Sequence, residues 1–389
     1  MSEVVSNAGW ETKRLDEVVD ILDNKRVPVN SKERESRRGS VPYYGATGQV
    51  GWIDDYIFDE EIILLGEDGA PFLDTSKQKA YLVRGKSWVN NHAHVLRAKP
   101  GVPALYLKYW LDRLDYRPFV NGTTRLKLTQ AEMRLIPVPL APEQERYELV
   151  AELEKQFSRL DEAVANLQRV KANLKRYKDS VYSEAFGNEP NSTLGDLIEV
   201  GPQNGLYLPK DLYGDGVPIL RIDDYQTAWI RPVQELRRVK ATQEQISTWA
   251  LCEDDLLVNR VNSMTHLGKC VRIPKSLSGT VFESNMMRMR LTAAASPKYV
   301  EHYLASRLGK KRLIGNAKWA VNQASINQKD VRATPIFIPD LPAQLALVTK
   351  IDRQLSIVRE VEAEVDANLQ RAQALRQATL AKAFSTGSK

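Results

Sequence analysis

Pro139-Leu140-Ala141-Pro142-Glu143-Gln144 and Pro339-Asp340-Leu341-Pro342-Ala343-Gln344 each open a long apolar-periodic stretch, and the two stand at an offset of 200 residues, Gln144 to Gln344. The first stretch carries Asn166-Leu167-Gln168-Arg169 and ends Ala185-Phe186-Gly187. The second carries Asn368-Leu369-Gln370-Arg371 and ends Ala383-Phe384. Identical quartets in matching context mark an internal duplication. Solenoid units run about 20 to 50 residues, so a repeat this long has to be a whole folding unit. The chain is expected to fold as a pseudo-dimer.

Four anchors, one at one offset and three at another, extend the duplication upstream of the helices. Leu15 matches Leu194 at an offset of 179, while Glu61-Ile62-Ile63-Leu64-Leu65 with Gly66-Glu67-Asp68-Gly69 matches Asp255-Leu256-Leu257-Val258 with Asn259-Arg260-Val261-Asn262 at 193. The first of these reads as a buried strand and a tight turn. The same 193 aligns Asn91-His92 with Ser284-Asn285 and Tyr106-Leu107 with Tyr299-Val300. Frameworks match, but the loops between them share little and hold the aromatics and turn formers, which is where binding residues sit on a rigid scaffold. The expected division is 1–141 and 188–341 as globular bodies, with 142–187 and 342–389 as helical spacers.

Between Pro142 and Gly187 there is no Gly or Pro. Leu153, Phe157, Leu160, Val164, Leu167 and Leu174 follow a heptad seam. Val348, Ile351, Leu355, Val358, Val365 and Leu369 form its equivalent in the second copy, broken by Glu362 and Arg376. The two stripes are expected to bury each other as an antiparallel coiled coil, making the fold α+β with a pseudo-twofold repeat. Lys171 and Lys178 interrupt the first seam, so its ends are expected to pack less tightly than its middle. Roughly 40 helical residues make a rod of about 60 Å, a suitable spacer if the partner is DNA.

Composition narrows the classes further. The apolar fraction is that of a globular protein, the longest apolar runs are strand-sized, and Met1 to Trp10 lacks the pattern of a secretory signal, so a cytoplasmic chain is expected. Cys252 and Cys270 are too few for a disulfide framework. With 55 Lys+Arg against 49 Asp+Glu the net charge is +6, a balance compatible with a polyanion partner. No phosphate loop, nucleophile elbow, metalloprotease helix, aminomethyltransferase motif or nuclease core stands in the sequence. His92 and His94 would project to one face of a strand, and Cys252, His266 and Cys270 are separate candidates, yet neither set completes a four-ligand metal site. The chain reads as a binder without catalytic residues.

From residue 10 to 386 the chain resembles the specificity subunit of a Type I restriction-modification enzyme. Pro42-Tyr43-Tyr44-Gly45-Ala46-Thr47-Gly48 with Gly66-Glu67-Asp68-Gly69 looks like the opening of that family's target-recognition domains. Thr123-Thr124-Arg125-Leu126-Lys127-Leu128 before Ile136-Pro137-Val138-Pro139, and Gln323-Ala324-Ser325-Ile326-Asn327 before Pro335-Ile336-Phe337-Ile338-Pro339, look like the exits into its helices. The second helix departs from the family's Pro-x-x-Glu-Gln start. The resemblance implies a non-catalytic subunit that reads a bipartite, asymmetric DNA site for two methyltransferase subunits and for restriction subunits. S-adenosylmethionine, ATP and Mg would act on those partners, with no cofactor in this chain.

On side-chain chemistry the DNA-facing candidates are Tyr43, Tyr44, Asn91, His92, Thr123, Arg125 and Lys127 in the first body, and Asn259, Arg260, Asn262, Lys318, Trp319 and Gln323 in the second. Lys and Arg neutralise phosphate or read guanine, Asn and Gln match adenine, and aromatic rings pack on sugar or base. Alternatives are the specificity protein of another phage-defence system and a structural protein whose duplicated bodies bind proteins.

Overall fold

The structure is a computed structural model that describes residues 10–385 except Thr75, Thr227, Ala228, Met264, Val321 and Asn322, and describes Trp319, Ala320 and Gln323 by their backbone alone. The fold is α+β. It divides into two compact units, residues 1–169 with 365–389 and residues 170–364. Both long helices, Glu143–Phe186 and Leu341–Ala383, contribute to both units. No helix among the described residues is long and apolar enough to cross a membrane.

The core of the first unit is an antiparallel sheet with strands in the order Val19–Ile21, Ala93–Ala98, Ile62–Gly66, Ala80–Val83. Strand alternation splits the apolar run at its centre. Ile63 and Leu65 join the cluster around the helix Ala104–Arg113, whereas Ile62 and Leu64 pack with Phe58 and Val89 on the opposite face. A continuous apolar run is what a strand covered on both faces requires. The second unit repeats this order with Ile198–Asn204, Met286–Leu291, Leu256–Asn259 and Cys270–Arg272, and again Leu256 and Val258 face one cluster while Leu257 faces another.

Backbone hydrogen bonds repeat along with the strands. Leu15 N–H donates to Ile136 O and Leu194 N–H to Thr334 O, both at 2.9 Å. Glu67 N–H donates to His92 O at 2.8 Å, and Arg260 N–H to Asn285 O at 2.9 Å. Offsets of 179 and 193 therefore describe the bodies. The helices correct the expected 200: they begin at Glu143 and Leu341, an offset of 198. Arg146 and Gln344 occupy equivalent places, the first donating to Ala141 O and Gly101 O, the second to Pro339 O and Ala294 O. Pro142 precedes its helix, but Pro342 lies inside the first turn of the other, where Asp340 caps by accepting the Ala343 N–H at 3.0 Å. Matching the two prolines misaligned the copies by two residues.

Within each unit the two helix segments run antiparallel. In the first, Arg376 lies over the Phe157 ring at 4.4 Å and pairs with Asp161, while Leu153 lies beside Thr379 and Ala383. In the second, Lys350 pairs with Glu184 at 2.6 Å, and Tyr182 and Lys178 face Leu355 and Glu362. Leu153, Phe157, Ile351, Leu355, Val358 and Val365 are buried, whereas Leu160, Val164, Leu167, Leu174, Val348 and Leu369 are half-buried. Along the first helix this reverses the expected gradient. Its ends are the tighter parts because the bodies cover them, and the aromatic residues that close the two helices pack on the bodies as well: Phe384 on Tyr106 and Trp110, and Phe186 on Tyr299 and Tyr303.

Candidate nucleic-acid interface

In the first unit, hydrogen bonds between distant backbone segments gather the candidates on one face. The hairpin of Val41–Gly45 and Gly48–Ile53 has a two-residue tip, and a Cβ on Gly66 would stand 2.3 Å from Ala70 Cβ and 3.1 Å from Ala46 O. Only glycine lets tip and turn approach this closely. Asn90 N–H donates to Tyr44 O at 3.0 Å, Leu128 N–H to Glu67 O at 2.7 Å and Gly69 N–H to Leu126 O at 3.2 Å. Four segments meet there.

Their side chains form a charged cluster around Glu67 and Asp68. Asp68 Oδ1 is 2.7 Å from His92 Nδ1 and accepts from Arg125 at 2.9 Å. Glu67 accepts from Arg26 at 2.7 Å and lies 3.3 Å from Lys127 Nζ. Arg125 and Lys127 remain mostly exposed, with 61% and 53% of their side-chain surface open, so each can exchange its carboxylate for a phosphate or base edge. A freed carboxylate accepts from the cytosine amino group. Asn91 and Thr123 are exposed on the same segments. The sequence drew attention to Gly66-Glu67-Asp68-Gly69 only as a turn, so the two acids were missed as site residues. Nothing local marked Arg26.

Tyr43 is corrected from the candidate list. It is buried, its hydroxyl donates to Val29 O at 3.0 Å and Arg34 covers its ring at 4.7 Å. Tyr44 is half-exposed, tilted against Tyr81, and burial pushes its hydroxyl pKa up. His92 and His94 also part. His92 lies in the turn before its strand, whereas His94 is buried with Nδ1 2.6 Å from Asp23 and Nε2 2.9 Å from Leu128 O. Burial pushes the Asp23 carboxyl up, but the His94 hydrogen bond and charge, the Val95 N–H and the Gln130 amide outweigh it, leaving the group below its ordinary value.

In the second unit a three-stranded sheet of Val261–Asn262, Gln323–Ser325 and Lys318–Ala320 aligns Asn262 with Ala324 and Trp319, and Val261 with Ser325 and Lys318. The side chains of Trp319 and Gln323 lie outside the described residues. Asn259 is corrected: it is buried, bonded to the Tyr225 hydroxyl and donating to His266 O at 3.3 Å. Arg260 is half-exposed and donates to Ser284 O at 3.1 Å. Ile326 N–H donates to Arg260 O at 2.9 Å, the counterpart of Leu128 to Glu67. Equivalent backbone places thus carry Glu67 and Arg260, Asp68 and Val261, His92 and Asn285, Lys127 and Ser325. Among the described residues no group of three His, Cys, Asp or Glu is arranged to hold a metal.

Residues 7–175 match the family model of the Type I restriction modification DNA specificity domain. Over 151 residues the chain is 36% identical to a putative type I restriction enzyme specificity subunit of Haemophilus influenzae, covering 39% of this chain and 38% of that one. It is 24% identical to the EcoKI specificity subunit of Escherichia coli K12, over 73% of this chain and 64% of the relative. It is also 24% identical to the StySPI specificity subunit of Salmonella potsdam, over 74% and 66%. Each of these matches spans less than two thirds of the relative. A chain solved in work on complex assembly and conformational transition of the type I R-M system superposes with a TM-score of 0.73 at 16% identity, covering 99% of this chain and 100% of that one. That similarity is one of fold.

Proposed function

We propose that the chain, whose residues 7–175 match the Type I restriction modification DNA specificity domain and which is similar to type I specificity subunits, is the non-catalytic subunit that supplies DNA sequence specificity to such a complex. Each body reads one half of a bipartite double-stranded site. Two methyltransferase subunits are positioned on that site for adenine methylation, and restriction subunits for cleavage of unmodified DNA. S-adenosylmethionine, ATP and Mg act on those partners. The residues assigned to DNA are Tyr44, Asn91, His92, Thr123, Arg125 and Lys127 with Glu67 and Asp68 in the first body, and Arg260, Asn262, Lys318, Trp319 and Gln323 in the second. The helices between the bodies count out the unread gap.

One observation carries this reading. The same backbone frame presents an acid at Glu67 and a base at Arg260, so the two bodies favour different base edges and the site is asymmetric. Phosphate contacts hold register while base contacts specify. The test is to co-express the chain with its methyltransferase subunits and map adenine methylation by long-read sequencing. A two-part asymmetric motif is expected, and the purified chain alone should transfer no methyl group from labelled S-adenosylmethionine. Methylation by the chain alone, or a motif without two halves, overturns it.

A further inference from the structure

From Arg307 through Lys329 the chain contains no acidic residue, yet it holds Arg307, Lys310, Lys311, Arg312, Lys318 and Lys329. The stretch builds the helix Arg307–Leu313 and then the strand Lys318–Ala320 of the second body's candidate sheet. Among the described residues the first body has no such helix. Its chain passes instead through Asp115-Tyr116-Arg117, where Arg117 is held by Asp115 at 2.7 and 2.9 Å. The offset between the bodies grows from 193 at Tyr106 and Tyr299 to 198 at Leu128 and Ile326, so the added residues fall where the helix stands.

The helix is braced against the loop that follows Asn262 and against the preceding helix. Lys310 Nζ donates to Thr265 O at 2.7 Å, and a Cβ on Gly268 would stand 2.9 Å from Ile314 Cγ2. Arg312 donates to the Tyr303 hydroxyl at 3.3 Å. Arg307 and Lys311 are exposed, four residues apart on one helix face, and share an open groove with Arg176 and one carboxylate, Asp179. Among the described residues none of the four basic side chains of this helix forms an ion pair. A cation not held in an ion pair keeps its charge available to a polyanion.

We propose that the helix Arg307–Leu313 is a sequence-independent phosphate-contact surface, with Arg307 and Lys311 holding the DNA backbone beside the half-site read by the second body and Lys310 bracing the helix. The assignment rests on the second body being a DNA interface. An acidic protein surface would also accept this charge, but the basic run continues directly into Lys318 of the candidate sheet, which favours DNA.

The experiment uses the full chain assembled with its methyltransferase subunits and a fluorescent duplex carrying the mapped motif. Each phosphate contact contributes about 0.9 to the slope of log affinity against log salt. In R307Q/K311Q the slope should fall by about 1.8, so that the deficit against wild type shrinks about twelvefold between roughly 50 and 200 mM salt. Preference for the motif over scrambled duplex should stay as in wild type. R307K/K311R should restore the slope, and R117Q, which removes a cation already neutralised by Asp115, should shift it less. An unchanged slope in R307Q/K311Q overturns the proposal, as does loss of methyltransferase subunits from that variant's complex on gel filtration. If wild type binds motif and scrambled duplex alike, the sequence-reading function fails, while the slope difference still decides the helix.

Discussion

Tyr43 and Tyr44 are neighbours in one strand and face opposite ways, one into the core and one toward the candidate interface. The phenol of Tyr43 bridges Val29 and carries Arg34, so removing the ring should act on stability. Tyr43→Ala is expected to cost about 3–5 kcal/mol, as for other buried aromatics, and to leave motif preference unchanged. Denaturant unfolding and methylation mapping of the same variant check this, and a changed motif with full stability would refute it. Asp23 sits beneath the same face. A carboxyl depressed in the fold adds stability above its unfolded value of about 3.9, and that stability is lost as pH falls through the depressed value. Thermal melts from pH 7 to 3 should show the loss at the acid end, and Asp23→Asn should flatten that limb while lowering stability at neutral pH.

Each body docks on the helices through a helix of its own, and at equivalent places the contact is Tyr109 with Glu154 in one and His302 with Asp352 in the other, the latter at 2.9 Å. Burial and the nearby Lys298 push the His302 imidazole down, Asp352 pushes it up, and the net is below its ordinary value. The sign follows from linkage: the unfolded chain takes up this proton first, so the stabilisation present above about pH 6.5 is lost as pH falls through the folded value. Melting should therefore shift downward between pH 7 and 5, and His302→Gln should remove part of that shift. An identical pH profile in the variant would discount the joint. The heptad stripes were legible because periodicity is local. Their packing gradient was not, since it depends on which turns the bodies cover.

For the whole molecule, the duplication predicts two separable halves. Arg125→Ala with Lys127→Ala should weaken binding through the first half-site, and Arg260→Ala with Lys318→Ala through the second. A lost base-reading arginine costs about 1–3 kcal/mol and relaxes one position, while a lost phosphate contact weakens all sequences alike. Binding by the assembled methyltransferase to duplexes with each half scrambled distinguishes the two, and identical responses of both double variants would break the assignment of one body to one half.

Repeated quartets, heptad spacing, buried strand runs and the anchors at 179 and 193 could be read directly, because each is a local pattern that the chain writes twice. Tertiary structure decided between the 200 of the helix openings and the 198 of the Ala185-Phe186 and Ala383-Phe384 ends, and it alone decided that Tyr43 and Asn259 turn inward and that Asp68 gathers His92 and Arg125 from 24 and 57 residues away. The physical reason is that a periodic pattern establishes an element and its faces, whereas the partner across a sheet ladder or turn is set by hydrogen bonds and packing between segments far apart in the chain.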